Sequence, residues 1–136
     1  MSKAIHVFIV DDDDDDKEMF CEVVDNLYIC SACISASNGQ EALQLLQNAQ
    51  PLPDFIFLDL NMPRMNGKQL LMLLKKDETL AEIPVIIYST SKLESDRVET
   101  RELGSVHFLT KPSSTKQLKK DLEFVFDKKY EEIMSE

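Results

Sequence analysis

Positive charge is what this chain has least of: 15 Lys and Arg stand against 25 Asp and Glu, a formal net charge of −10 at pH 7. Sequence-independent binding to DNA or RNA works by cations neutralising phosphates, so nucleic acid is disfavoured as a partner, and anionic membrane surfaces are disfavoured with it. No apolar stretch approaches the ~20 residues that a membrane span needs, and no cationic and then apolar leader stands at the start. A cytoplasmic protein is expected. Repeats and low-complexity linkers are also missing. The 136 residues are one domain's worth, enough to bury roughly two thirds of the surface an unfolded chain exposes, so a single domain over residues 1–136 is expected.

Cysteine is scarce as well. Cys21, Cys30 and Cys33 are an odd set. Cys30-Ser31-Ala32-Cys33 has the spacing of a thiol redox pair, but such pairs work at a helix N-terminus, where the dipole lowers the thiol pKa. Here the two flank a strand-like run, in which residues three apart point to opposite faces. A zinc site needs a fourth ligand nearby, and His6 and His107 stand on separate strand-like runs without ligand spacing. Structural roles are expected for all of them.

What the chain does have is alternation. Residues 4–10 are apolar apart from His6 and read as a strand buried on both faces, as do residues 55–58, Phe55-Ile56-Phe57-Leu58. Residues 29–36 form a weaker strand, and residues 84–88 and 106–110 complete five. Between them run helical patterns. Met19, Phe20, Val23, Val24 and Leu27 make one apolar stripe, and Ala42, Leu43, Leu45, Leu46 and Ala49 another. Asn38 with Glu41 forms a capping-box pattern before the second helix, and Asn66 with Gln69 is a cap pair before the third, which covers residues 70–76. Residues 94–103 are a polar fourth helix closed by Gly104. A long last helix takes its apolar positions from Leu118, Leu122, Val125, Phe126 and Ile133. Five strands alternating with five helices predict an α/β, doubly wound parallel sheet with right-handed crossovers.

Polar chemistry begins wherever a strand stops. Asp11 and Asp12 end the first strand, Asp59 the third, Ser89-Thr90-Ser91 the fourth and Lys111-Pro112 the fifth. In open α/β sheets ligands bind at this carboxyl edge. The run from Asp13 to Asp16 reads as a solvated, helix-capping segment, and an EF-hand loop is excluded by the missing glycine at its sixth position. Carboxylates 4 Å apart repel by up to roughly 4 kcal/mol per pair at an effective dielectric of 20, so Asp11, Asp12 and Asp59 together suit a hard cation with oxygen ligands, Mg²⁺. A metal, an ammonium and a hydroxyl around one carboxylate suit a transferring phosphoryl group. Asp59 is then the nucleophile, yielding an aspartyl phosphate.

Four segments carry a resemblance: Phe8-Ile9-Val10-Asp11-Asp12, Phe57-Leu58-Asp59-Leu60-Asn61-Met62-Pro63, Pro84-Val85-Ile86-Ile87-Tyr88-Ser89 and Phe108-Leu109-Thr110-Lys111-Pro112. In that order they resemble the CheY-like receiver domains of bacterial two-component response regulators, over essentially the whole chain. The resemblance implies a flavodoxin-like (β/α)5 sheet of order 2-1-3-4-5. It implies Asp59 as phosphoacceptor, and Asp12, Asp59 and the Asn61 backbone carbonyl as direct Mg²⁺ ligands, with Asp11 acting through water. Lys111 stands where the family binds phosphate, and Ser89 and Phe108 where it has its switch pair. Phe108 replaces the commoner tyrosine, which removes a phenol hydrogen bond but leaves rotamer switching by a ring. The Asp13 to Asp16 run is more acidic than usual.

Two rival readings are weighed against this one. A haloacid-dehalogenase-type phosphatase also forms an aspartyl phosphate, but wants its nucleophile on the first strand with a second Asp two residues on, where Asn61 follows Asp59. A degenerate receiver, serving only to bind protein, would lack a required position. The expectation is a stand-alone receiver, not itself an enzyme, that takes part in its own phosphorylation and dephosphorylation. It accepts phosphate from a sensor histidine kinase or phosphotransfer protein and signals to a downstream protein by docking. The fourth helix, fifth strand and fifth helix are expected to form the partner or homodimer face. A weaker resemblance points to the small receivers that partner phytochrome-type or hybrid kinases.

Overall fold

The computed structural model describes residues 5–27 and 30–134. Its elements are β1 (Ile5–Val10), α1 (Asp14–Asp25), β2 (Cys30–Ala36), α2 (Gly39–Gln47), β3 (Phe55–Leu58), α3 (Gly67–Lys76), β4 (Val85–Ser89), α4 (Glu94–Glu102), β5 (His107–Thr110), α5 (Thr115–Phe126) and α6 (Tyr130–Met134). The strands form one parallel sheet in the order β2-β1-β3-β4-β5, as expected. Ala4 and Ile29, which the expected strands included, lie outside the described residues, as does the Cys30 side chain.

Side-chain alternation on buried strands explains the two cores. Phe55 and Phe57 of β3 face one way and join Phe20, Val24, Tyr88, Leu118 and Leu122 beneath α1 and α5. Ile56 and Leu58 face the other way and join Leu46, Leu70, Leu71, Leu74 and Ile87 beneath α2 and α3. All four residues of β3 are buried, so the central strand is held from both sides.

Local chemistry starts the helices. Asn66 accepts from the Gln69 backbone while Gln69 accepts from the Asn66 backbone, a complete capping box that begins α3 three residues before the expected start at Leu70. At α2, Asn38 accepts from Glu41 N (2.8 Å), but the Glu41 side chain takes the Ser37 amide (2.7 Å) instead of closing on Asn38.

The last helix is not continuous. Lys128 has φ +58°, in the left-handed region, and breaks the run into α5 and α6. Tyr130 therefore turns inward, 6.1 Å from the His107 ring, and is buried, whereas Ile133, expected in the core, is 55% exposed. Leu45, expected in the α2 stripe, is also exposed.

Candidate functional site

Register brings the acidic strand ends level. Val10 pairs with Leu58 across β1 and β3, and the Asp59 amide donates to the Val10 carbonyl at 3.0 Å, so Asp11 and Asp59 leave neighbouring strands side by side. Carboxylate oxygens of Asp11, Asp12 and Asp59 lie within 4.8 Å of one another; Asp11 and Asp59 are buried and Asp12 is exposed.

The loop after β3 holds Asp59 by its backbone. Leu60 N donates to Asp59 Oδ1 at 2.9 Å, and Gly67 N reaches back to the Leu60 carbonyl at 2.9 Å. A Cβ at Gly67 would collide with the Asp59 carbonyl, so only glycine lets α3 start this close. Asn61 and Thr90 are exposed at the rim.

Lys111 comes from the far side. Its amide donates to the Ser89 carbonyl at 2.8 Å, extending the β4–β5 ladder by one residue. Its Nζ lies 2.7 Å from Asp11 Oδ2, 2.8 Å from Asp16 Oδ2 and 3.7 Å from Asp59 Oδ2. Burial pulls its pKa down, but the carboxylates of Asp11, Asp16 and Asp59 override this and hold the ammonium above its ordinary value. The Asp59 pKa is raised as well, which for a carboxyl favours the neutral form. Burial pushes its carboxyl up to about 6 and the Asp11 carboxylate adds to the rise, while Lys111 and the backbone amides of Asn61 and Leu60 offset only part of it.

A divalent cation fits this geometry. Asp11 Oδ2 is buried, and the charge set against it is the Lys111 ammonium at 2.7 Å. A second positive charge within reach of the three carboxylates would relieve the repulsion that remains, and oxygen-only ligands suit a hard ion.

Ser89 is fully buried at the end of β4, where its Oγ accepts from Ser91 N at 3.2 Å. Phe108 sits one strand over, opposite Ile87 and partly buried, with the Arg97 guanidinium 4.6 Å above its ring. Arg97 also donates to Thr110 Oγ1 at 3.0 Å.

The acidic run divides its labour. Asp13 caps α1, accepting from Asp16 N at 2.9 Å; Asp14 pairs with Lys17 at 3.2 Å; and Asp16 holds Lys111. At this edge, Asp16 and Arg97 make contacts with expected site residues that sequence reasoning missed.

The response regulator receiver domain family matches residues 7–123. The response regulator Rcp1 of Synechocystis sp. (strain PCC 6803 / Kazusa) is 32% identical over an alignment 117 residues long that covers 82% of this chain and 80% of that protein. Its Mn²⁺-bound form superposes with a TM-score of 0.77 at 30% identity, covering 89% of this chain and 91% of that one. The phosphorylated cyanobacterial phytochrome response regulator RcpA gives a TM-score of 0.80 at 31% identity, covering 89% and 93%. The protein-glutamate methylesterase/protein-glutamine glutaminase of Treponema denticola is 40% identical over 113 residues, 82% of this chain. This chain spans only 29% of that enzyme's length. Among the described residues, no helix is long and apolar enough to cross a membrane.

Proposed function

We propose, for a chain that belongs to the response regulator receiver domain family, that Asp59 accepts a phosphoryl group from a histidine kinase or phosphotransfer protein in a Mg²⁺-dependent step. The observation that carries this reading is the meeting of Asp11, Asp12, Asp59 and Lys111 at one sheet edge. A carboxylate oxygen of Asp59 attacks the phosphorus, the bond from phosphorus to the donor nitrogen breaks, and the donor imidazole departs with the electron pair. Asp59 must be ionised to attack, which a carboxyl pKa of about 6 permits at neutral pH.

Asp11, Asp12, Asp59 and the Asn61 carbonyl would hold the cation, whose chemistry is to neutralise charge on the transferring oxygens. Lys111 supplies the second positive charge, exchanging part of its contact with Asp16 for the phosphoryl group. Ser89 offers its hydroxyl to a phosphoryl oxygen, and Phe108 turns inward in response. We assign partner docking to the face of α4, β5 and α5, where Val98 is exposed beside Arg97 and Phe108 and α6 adds the exposed Ile133. The chain's role is that of a phosphoacceptor in cytoplasmic signalling, any enzymatic output belonging to other proteins or domains.

Acetyl phosphate with Mg²⁺ tests the assignment by intact mass. Wild type is expected to gain one phosphoryl group and Asp59→Asn none, and equal uptake by both would move the acceptor elsewhere. Lys111→Ala is expected to lower uptake at least tenfold.

A further inference from the structure

Two thiols meet away from the acidic edge. Cys33 pairs with Val7 in the β1–β2 ladder, which places it beside the core face that α1 covers. Cys21 follows the buried Phe20 on α1 and packs against the same core. Their Sγ atoms are 2.6 Å apart, well inside van der Waals contact for two sulfurs and close to the roughly 2.05 Å of a covalent bond. Both residues are half-buried, so neither is sealed from small solutes.

We infer that Cys21 and Cys33 form a redox-active dithiol that a low-molecular-weight disulfide oxidises to an intramolecular bond, tying α1 to the edge strand β2. The hydrogen bond with Cys33 lowers the Cys21 thiol below its ordinary value; burial and Asp25 act against this, and Lys17 assists. Cys21, half-buried on α1 with its sulfur in contact with Cys33, is assigned as the attacking sulfur. Its thiolate, after losing a proton, attacks one sulfur of the oxidant, forming a mixed disulfide and releasing one thiolate. Cys33, losing its own proton, attacks the Cys21 sulfur and expels the second thiolate. The protein loses two electrons and two protons, and the oxidant is reduced to two thiols. The sequence offered only the spacing of Cys30 and Cys33, set aside in favour of structural roles, and the Cys21 to Cys33 contact arises from how α1 packs on β2. The bond would fix α1 within two turns of Asp16, whose carboxylate holds Lys111.

The test is to incubate the reduced full chain with oxidised glutathione at about pH 8 and weigh it intact. The expected product has lost two hydrogens and retains no glutathione, and dithiothreitol restores the original mass. Cleavage after Glu18, Glu22 and Glu41 separates Cys21, in residues 19–22, from Cys30 and Cys33, in residues 23–41. The two peptides should remain joined, and fragmentation should place the bridge on Cys33 in wild type, without recourse to a variant. Cys30→Ser should still close the bond, while Cys33→Ser should stop at a mixed disulfide on Cys21. An unchanged mass, separate glutathione adducts on the cysteines, or a bridge through Cys30 would overturn the proposal.

Discussion

Asp59 has to work as an anion in a place that favours its neutral form. Its folded pKa of about 6 lies above the ordinary 3.8, so the native state holds this proton more tightly than the unfolded chain does. The stability this contributes is fully present below about pH 4 and is lost as pH rises through about 6. Above that, the ionised group weakens the metal-free fold by about 3 kcal/mol at the full shift. Asp59→Asn imitates the neutral form. In EDTA it should therefore be more stable than wild type at pH 8, by on the order of 1–3 kcal/mol in urea titrations, and the gain should fade toward pH 4. A gain that does not change with pH would mean that ionisation of the Asp59 carboxyl is not its source. At this scale the sequence was legible where a polar residue ended an apolar strand, as at Asp11, Asp59, Ser89 and Lys111. It was not legible for Asp16 or for the Cys21 and Cys33 pair, because those contacts cross 95 and 12 residues and depend on how α1 sits on the sheet.

The element that moves most readily should be α4. Only Thr100 of its residues is buried, and its N-cap, Leu93, makes no side-chain cap bond. What ties it to α3 is Lys68, whose Nζ reaches Asp96 at 2.7 Å and Glu99 at 2.6 Å, with Ser91 Oγ closing on Asp96 at 2.5 Å. Partly exposed pairs of this kind contribute about 0–1 kcal/mol each. Lys68→Ala should accordingly raise amide exchange across residues 94–102 several-fold while lowering global stability by less than about 1 kcal/mol. Exchange unchanged in that segment would mean that the Arg97 contacts to Phe108 and Thr110, and not Lys68, restrain the helix. The sequence marked α4 as polar, and its shallow burial follows because composition decides how much of a helix can be buried. It did not show the break after α5. The apolar period runs on through Ile133, and nothing local distinguishes Lys128 as a residue that adopts positive φ.

For the molecule as a whole, the strand order is also a charge problem. Placing β1 beside β3 sets Asp11 against Asp59, and the loop after β1 adds Asp12, so the fold gathers three carboxylates within 4.8 Å in a chain already at −10. Lys111 answers part of that charge, and shares itself with Asp16 in doing so. A divalent cation bound only by the folded state stabilises it by RT ln(1 + [L]/Kd), about 2.7 kcal/mol at a hundredfold excess over Kd. For a domain of this size that raises the melting temperature by on the order of 8 °C. Millimolar Mg²⁺ added after EDTA should produce such a rise in wild type, and Asp12→Ala should abolish it without lowering the metal-free melting temperature, since Asp12 is exposed and its removal relieves repulsion. The same variant should take up phosphate from acetyl phosphate far more slowly, because one exposed carboxylate serves both the thermal shift and the transfer. A wild-type melting temperature indifferent to Mg²⁺ would mean that Lys111 alone balances the edge, and an Asp12→Ala protein that still responds fully would mean that Asp12 is not a ligand.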